Sequence, residues 1–221
     1  MPPCGRLAPI PAGPDGVNWP PSQVRTGHPV SFFRSTGLIE NASVIRNGPV
    51  RLQPPAMADF ADWARIRADS RAFLKPWEPT WPKDDLTRAA FRKRLRHYQR
   101  DRREDHAYPY FIWREADHML VGGITLSNIR RGAAQTGTAG YWIGAAYQRQ
   151  GYMLAALVGL TRHAFERLGL HRIEAACMPD NEASMSLLRK CGFVEEGYAR
   201  DYLRINGQWR DHVLFALTRS R

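Results

Sequence analysis

Gln148-Arg149-Gln150-Gly151-Tyr152-Met153 stands between a β-rich run and the most regular helical stripe of the chain. A strand that turns through glycine into a helix leaves several backbone N–H groups unpaired at the positive end of the helix dipole. Such a cradle can hold a pyrophosphate. Gly151 lets the backbone approach an anion closely, although one glycine at a strand-to-helix turn serves equally as a plain connection. Glu174, mid-run between Ile173 and Ala175, is a carboxylate that faces either a cleft or solvent. His163, His171 and His212 have no metal-ligand spacing, so no metal is expected. Cys4, Cys177 and Cys191 form neither a CxxC pair nor a pairing framework. The core-like positions of Cys177 and Cys191 argue against a covalent cysteine mechanism.

These residues need elements to hold them. Val50 to Gln53 reads as a strand stopped by Pro54 and Pro55, and Met57 to Phe73 as a helix with Phe60, Trp63, Ala64 and Ile66 near helical spacing. Asp84 and Asp85 open a second helix through Leu86, Phe91, Leu95 and Tyr98. Tyr108 to Arg114 and His118 to Leu126 read as a hairpin, with Thr138 to Tyr147 joining its sheet. The clearest helix, Gly151 to Leu168, places Leu154, Leu157, Val158, Thr161, Ala164, Phe165 and Leu168 on one side and ends at Gly169. A strand follows over His171 to Met178, then a short helix over Glu182 to Lys190 with Asn181 as its cap. Phe193 to Ile205 and Gln208 to Thr218 form a last hairpin around Asn206-Gly207. Antiparallel runs with helices inserted between them predict an α+β domain, one mixed and mostly antiparallel sheet flanked by helices.

The 221 residues, 43% hydrophobic and 24% charged, suffice for a sizeable core and exclude wholesale disorder. Residues 1 to 46, interleaved with proline and glycine, read as a flexible extension or an upstream mis-assigned start, leaving 47 to 221 as the domain. The longest apolar runs, Ala139 to Tyr147 and Met153 to Leu160, fall short of the roughly 20 residues of a membrane span. No secretory signal is visible, so a cytoplasmic protein without a membrane partner is expected. The net charge is +11, and between Arg88 and Arg103 eight basic residues face Asp101 alone, giving that helix +7. Such a run is either a solvated face or a docking surface.

The Gln-x-x-Gly turn, followed by Pro179-Asp180-Asn181-Glu182-Ala183-Ser184 and Gly192-Phe193, resembles the acetyl-CoA-binding core of the GNAT superfamily of N-acetyltransferases. The hairpin strings Glu196-Gly197-Tyr198-Ala199-Arg200-Asp201-Tyr202-Leu203 and Asn206-Gly207-Gln208-Trp209-Arg210-Asp211-His212 resemble the RimJ-type ribosomal-protein alanine N-acetyltransferases. The likeness covers about residues 47 to 221 and departs at Met153, where the superfamily usually has Gly or Ala. It implies that N–H groups from Gln150, Gly151, Tyr152, Met153 and Leu154 cradle the pyrophosphate of acetyl-CoA, with Arg149 adding charge. It also implies that Trp142, Ile143 and Gly144 line the pantetheine.

The implied reaction needs a neutral amine, an electrophilic carbonyl and a protonated leaving thiol. An α-amine, with a pKa near ~8 against ~10.4 for lysine, needs only a modest base, directly or through a water. Glu174 is one candidate; Asp201, at a position resembling the acidic residue proposed in related enzymes, is the other. Ser184 can protonate the leaving thiol or simply bond its own first turn. Asn181 is a cap, a cofactor contact or both, and Tyr198 is either a third acid candidate or a buried aromatic on the hairpin. The implied function is direct transfer, in a ternary complex, to the N-terminal alanine of a ribosomal protein by a monomer or weak homodimer. Helix 88–103 would border the acceptor groove and meet rRNA or an acidic acceptor surface. The alternatives are a small-molecule amine acetyltransferase and a non-catalytic ribosome- or RNA-binding protein.

Overall fold

The computed structural model describes residues 44–219, so nearly all of the expected N-terminal extension lies outside the described residues. Eight strands form one sheet in the order β1-β2-β3-β4-β5-β6-β8-β7. They are β1 (Ile45–Asn47), β2 (Val50–Gln53), β3 (Tyr108–Arg114), β4 (Leu120–Arg130), β5 (Thr136–Ile143), β6 (Arg172–Cys177), β7 (Val194–Ile205) and β8 (Gln208–Thr218). The helices are α1 (Phe60–Asp69), α2 (Arg71–Leu74), α3 (Arg88–Arg103), α4 (Tyr152–Glu166) and α5 (Glu182–Lys190). The α+β class and the mostly antiparallel sheet stand as expected, because every pairing but β5 with β6 is antiparallel.

Four local differences have physical reasons. Strand β1 was not foreseen; it pairs with β2, and Asn47 reaches α4 to donate to the Ala155 carbonyl at 2.9 Å. The expected helix over Met57 to Phe73 breaks into a 3₁₀ turn, α1 and α2, with Ser70 at the junction. Thr87, not Asp84 or Asp85, caps α3, accepting from Ala90 N–H at 3.2 Å, while Asp85 is buried against Arg94 at 2.5 Å. Helix α4 also buries Met153, Ala156 and Leu160, outside the expected stripe, because it packs on the sheet and on α5 together.

Each face of the sheet carries its own core. On one face Leu157, Leu160 and Ala164 of α4 and Leu188 of α5 pack on Val50, Ile112, Leu126, Ile173 and Phe215. On the other, Trp63 and Ile66 of α1 and Phe91 and Leu95 of α3 pack on Phe111, Trp113 and Leu120. The Trp63 and Phe91 rings lie 4.8 Å apart. Full burial of each such side chain contributes about 1.5–3 kcal/mol. The two cores cover β3 and β4 from both faces, whereas β6 contributes only to the first.

Candidate active site

β5 and β6 pair only over Thr136–Thr138 with Arg172–Glu174. Beyond Thr138, β5 continues to Ile143 bonded to β4 alone, and β6 continues to Cys177 bonded to β8 alone. A wedge opens between them, leaving one edge of each strand without a ladder partner. Unpaired backbone groups of this kind bind a ligand's amides or polarise a carbonyl. Trp142, Ile143 and Gly144 stand on the β5 side of the wedge, Gly144 with its N–H donated back to the Val121 carbonyl of β4 at 2.8 Å. The Trp142 indole lies against Gly123 of β4, where a Cβ would come 2.5 Å from its Nε1.

After β5 the chain makes a 3₁₀ turn, Ala145–Tyr147, anchored by Ala145 N–H donating to the buried Ser70 hydroxyl at 2.9 Å. Arg149 (φ 60°) and Gly151 (φ 82°) then adopt left-handed conformations two residues apart, and α4 begins. Alternating conformations of this sort turn successive N–H groups into one concavity, an anion nest. The bond from Ala155 N–H to the Gly151 carbonyl at 3.0 Å closes the first turn of α4. The N–H groups of Tyr152, Met153 and Leu154 precede it and have no helical acceptor. Met153 turns its side chain into the core, which keeps the loop backbone clear despite its bulk. Arg149 is exposed and, among the described residues, makes no ion pair; Gln150 donates to the Ala146 carbonyl at 2.9 Å. Arg114, which the sequence reading did not single out, donates to the Tyr152 hydroxyl at 3.3 Å beside the loop, while its charge is paired with Asp117.

Across the wedge, Asn181 caps α5 by accepting from Ser184 N–H at 3.1 Å. The Ser184 hydroxyl itself turns to Tyr141 of β5, with 2.8 Å between the two oxygens. Burial holds the Tyr141 phenol well above its usual pKa, so it stays protonated. The Cys177 thiol, bonded to Ser184, is likewise pushed up by burial, and that of Cys191 is pushed to about 11. Neither is poised as a thiolate nucleophile.

The carboxylates are dispersed. Glu174 lies 3.0 Å from Arg172 and 3.6 Å from Arg130, and Arg172 also holds Glu196. Because Ile173, Ala175 and Cys177 face the α4–α5 core, alternation sends Glu174 to the opposite face. Asp201 is exposed in a bulge of β7 at φ 46°, and its N–H donates to Asp211 at 2.8 Å. Chain order alone would set β7 beside β6. The hairpin folds back so that β8 takes that place, leaving Asp201 on the outer strand. Asp211 also accepts from the Tyr198 hydroxyl at 2.7 Å, and these two bonds hold its carboxyl below the usual range. It lines a cleft of about 300 Å³ with Pro179, Asp180, Tyr198, Trp209 and Arg210.

On the other face Arg67 is buried, held by Glu78 through two bonds of 2.7 Å and stacked between the Trp81 and Trp142 rings at 4.0 and 4.9 Å. Trp81 Nε1 donates to the same carboxylate at 2.6 Å, and the Glu78 carbonyl accepts from Asn206 N–H at 2.9 Å. The segment between α2 and α3 is thereby pinned to the wedge strand and to the hairpin tip. Tyr141 and Asp211 had sequence signals, lying beside Trp142 and within the hairpin string. Arg67 and Glu78 had none, since only the tertiary fold brings them together.

A parallel pair that splays, an anion nest at the head of the following helix and a hydroxyl facing the wedge together describe an acyl-CoA transferase. Consistent with this, residues 50–194 match the acetyltransferase (GNAT) domain model, and the chain belongs to that family. Among its relatives is the [ribosomal protein uS5]-alanine N-acetyltransferase of Escherichia coli, 36% identical over 82% of this chain and 95% of that protein. Probable N-acetyltransferase YjcK of Bacillus subtilis is 34% identical over 79% of this chain and 96% of its own length. The solved structure of Mycobacterium smegmatis RimJ in complex with CoA-disulfide superposes with a TM-score of 0.74 at 34% identity. It covers 80% of this chain and 86% of that one. Among the described residues no helix is long and apolar enough to cross a membrane, and no cluster of residues could hold a metal ion.

Proposed function

We propose that this protein transfers the acetyl group of acetyl-CoA to the N-terminal α-amino group of a ribosomal protein, with alanine as the acceptor residue, in the cytoplasm. The observation that carries the acceptor assignment is the 36% identity, along 95% of its length, to a relative named for that substrate. The nest from Arg149 to Leu154 fits the pyrophosphate, and the wedge edge at Trp142–Gly144 fits the amide-bearing pantetheine. Acetyl-CoA supplies the activated acetyl group. The amine forms the new N–C bond as the C–S bond breaks, the amine gives up a proton and the sulfur takes one.

Ser184, held by Tyr141, is assigned to protonate the leaving sulfur. Asp201, an exposed carboxylate on the outer strand whose backbone N–H is held by Asp211, is assigned to receive the amine proton through a water. Glu174, whose charge is taken by two arginines, is assigned to the ion-pair network. Helix α3 supplies the contact with the ribosome. Mass spectrometry of ribosomal-protein N-termini from cells with and without the gene tests this reading. One N-terminal alanine is expected to lose its acetyl group in the deletion, and an unchanged set of N-termini overturns the assignment.

A further inference from the structure

The cations of α3 do two different things. Arg94 is paired with Asp85 and stacked on Trp63, Arg102 lies over the Tyr108 and Tyr110 rings, and Arg100 sits beside Asp101 and His97. These three are spent on the fold. Arg88, Arg92, Lys93, Arg96 and Arg103 are all exposed, and among the described residues none of them makes an ion pair, although Arg88 also lies over the Phe60 ring at 5.5 Å. Lys93 stands to one side, but the four arginines do not scatter around the helix. With Gln99 they recur in steps of four, four, three and four residues, which is the period of one helical face. The result is a stripe about 22 Å long with one side chain per turn, each turn advancing about 5.4 Å. At its C-terminal end the surface hollows into a shallow cleft of about 480 Å³ lined by Arg96, Gln99, Arg102 and Arg103, without a carboxylate.

We infer that this stripe is an RNA-docking surface whose guanidinium groups bind phosphates of the backbone. Arg88, Arg92 and Arg96 stand one per turn, and Gln99, a neutral donor, fills the turn before Arg103. Such a row suits a ligand that repeats a single negative charge, and the planar guanidinium forks match phosphate oxygens. A lipid surface calls for apolar side chains beside the charge, and the large exposed apolar residues, Val44, Val194, Tyr198, Tyr202, Leu203 and Trp209, all lie on other elements. The choice of RNA among nucleic acids rests on the ribosomal-protein acceptor proposed above. The stripe would hold the enzyme on the RNA around that protein, and it takes no part in acetyl transfer itself.

The test is fluorescence anisotropy of a labelled single-stranded RNA of mixed sequence with the full chain, over a range of salt. Four phosphate contacts predict a slope of log K against log salt near about −3. The quadruple variant Arg88→Gln, Arg92→Gln, Arg96→Gln, Arg103→Gln is expected to lose nearly all of that slope. Lys93→Gln, on the same helix but off the stripe, should lose less than Arg96→Gln. Acetyl-CoA affinity, measured in parallel, should be unchanged and reports that each variant is folded. The inference is overturned if the quadruple variant binds RNA like the parent, or if Lys93→Gln weakens binding as much as Arg96→Gln. Polyglutamate or phosphatidylserine vesicles binding as tightly as RNA overturn it as well. Acetylation of a free alanine-initiated peptide separates the two claims. A parent protein that acetylates the peptide but ignores RNA overturns the docking surface alone, whereas one that binds RNA but never acetylates overturns the acceptor reading alone.

Discussion

The two sides of the β5–β6 wedge are made from different materials. Toward α4 and α5 the wedge offers backbone N–H groups, a nest built on two left-handed residues, and two hydroxyls 2.8 Å apart. Toward α1 and the segment leading to α3 it offers a buried guanidinium, its carboxylate and two indoles. The first side suits a ligand that never varies, because backbone donors survive almost any substitution. The second is a clamp of distant side chains that pins the segment between α2 and α3 to the wedge strand. It follows that damage on the first side should cost chemistry, and damage on the second should cost stability.

The largest effect is expected at the nest. A Cβ at Gly151 meets open space but is strained at φ 82°, and the Gly151→Asp change would aim a carboxylate at the anion. Calorimetry should show acetyl-CoA affinity reduced at least about 100-fold, roughly 2.7 kcal/mol, with the fold intact by circular dichroism. Unchanged affinity would place the phosphates elsewhere.

Next comes the hydroxyl pair. Ser184→Ala should lower kcat by about 10²-fold, the lower end of what a positioned acid contributes, while acetyl-CoA affinity holds. Tyr141→Phe should lower kcat less, and the double variant should be no worse than Ser184→Ala, because Tyr141 acts through Ser184. Additive losses would show that the two hydroxyls act separately.

The buried pair on the other side sharpens the contrast. Arg67→Met leaves the half-buried Glu78 carboxylate with the Trp81 Nε1 bond in place of its cation, and breaking a buried pair in this way costs at most about 3–5 kcal/mol of stability. The exposed Arg65–Asp62 pair, by contrast, should be worth less than about 1 kcal/mol. Urea unfolding of Arg67→Met and Asp62→Asn reads both, and equal shifts would remove the distinction between clamp and surface.

The smallest effect concerns Cys177 and Cys191. Burial pushes both thiols up, so iodoacetamide at neutral pH should leave them unlabelled in the folded protein and label them after unfolding, as peptide mapping would report. Rapid labelling of native Cys177 would reopen a cysteine mechanism.

The same division explains what the sequence made legible. The nest was readable because strand, glycine and amphipathic helix are local signals, and Asn206-Gly207, with φ of 45° and 84°, announced its hairpin. The Asn181 cap was local too. Pairing order was not: a chain read in sequence sets β7 beside β6, and only the sheet shows β8 between them, moving Asp201 outward. Strand β1 was too short to show a period, and its partner contacts on α4 lie more than a hundred residues away. The Arg67–Glu78–Trp142 stack joins three separate segments and has no linear signature. Local chemistry was visible, then, where the backbone makes the site, and hidden where distant side chains make it.

The most direct measurement is to incubate the protein with acetyl-CoA and peptides beginning with alanine, serine or methionine, alongside an N-terminally blocked peptide with an internal lysine, and to locate the acetyl group by tandem mass spectrometry. The account predicts acetylation on the α-amine of the alanine peptide, slower transfer to serine and methionine, and none to lysine. Acetylation of the lysine side chain, or of no peptide at all, would contradict it.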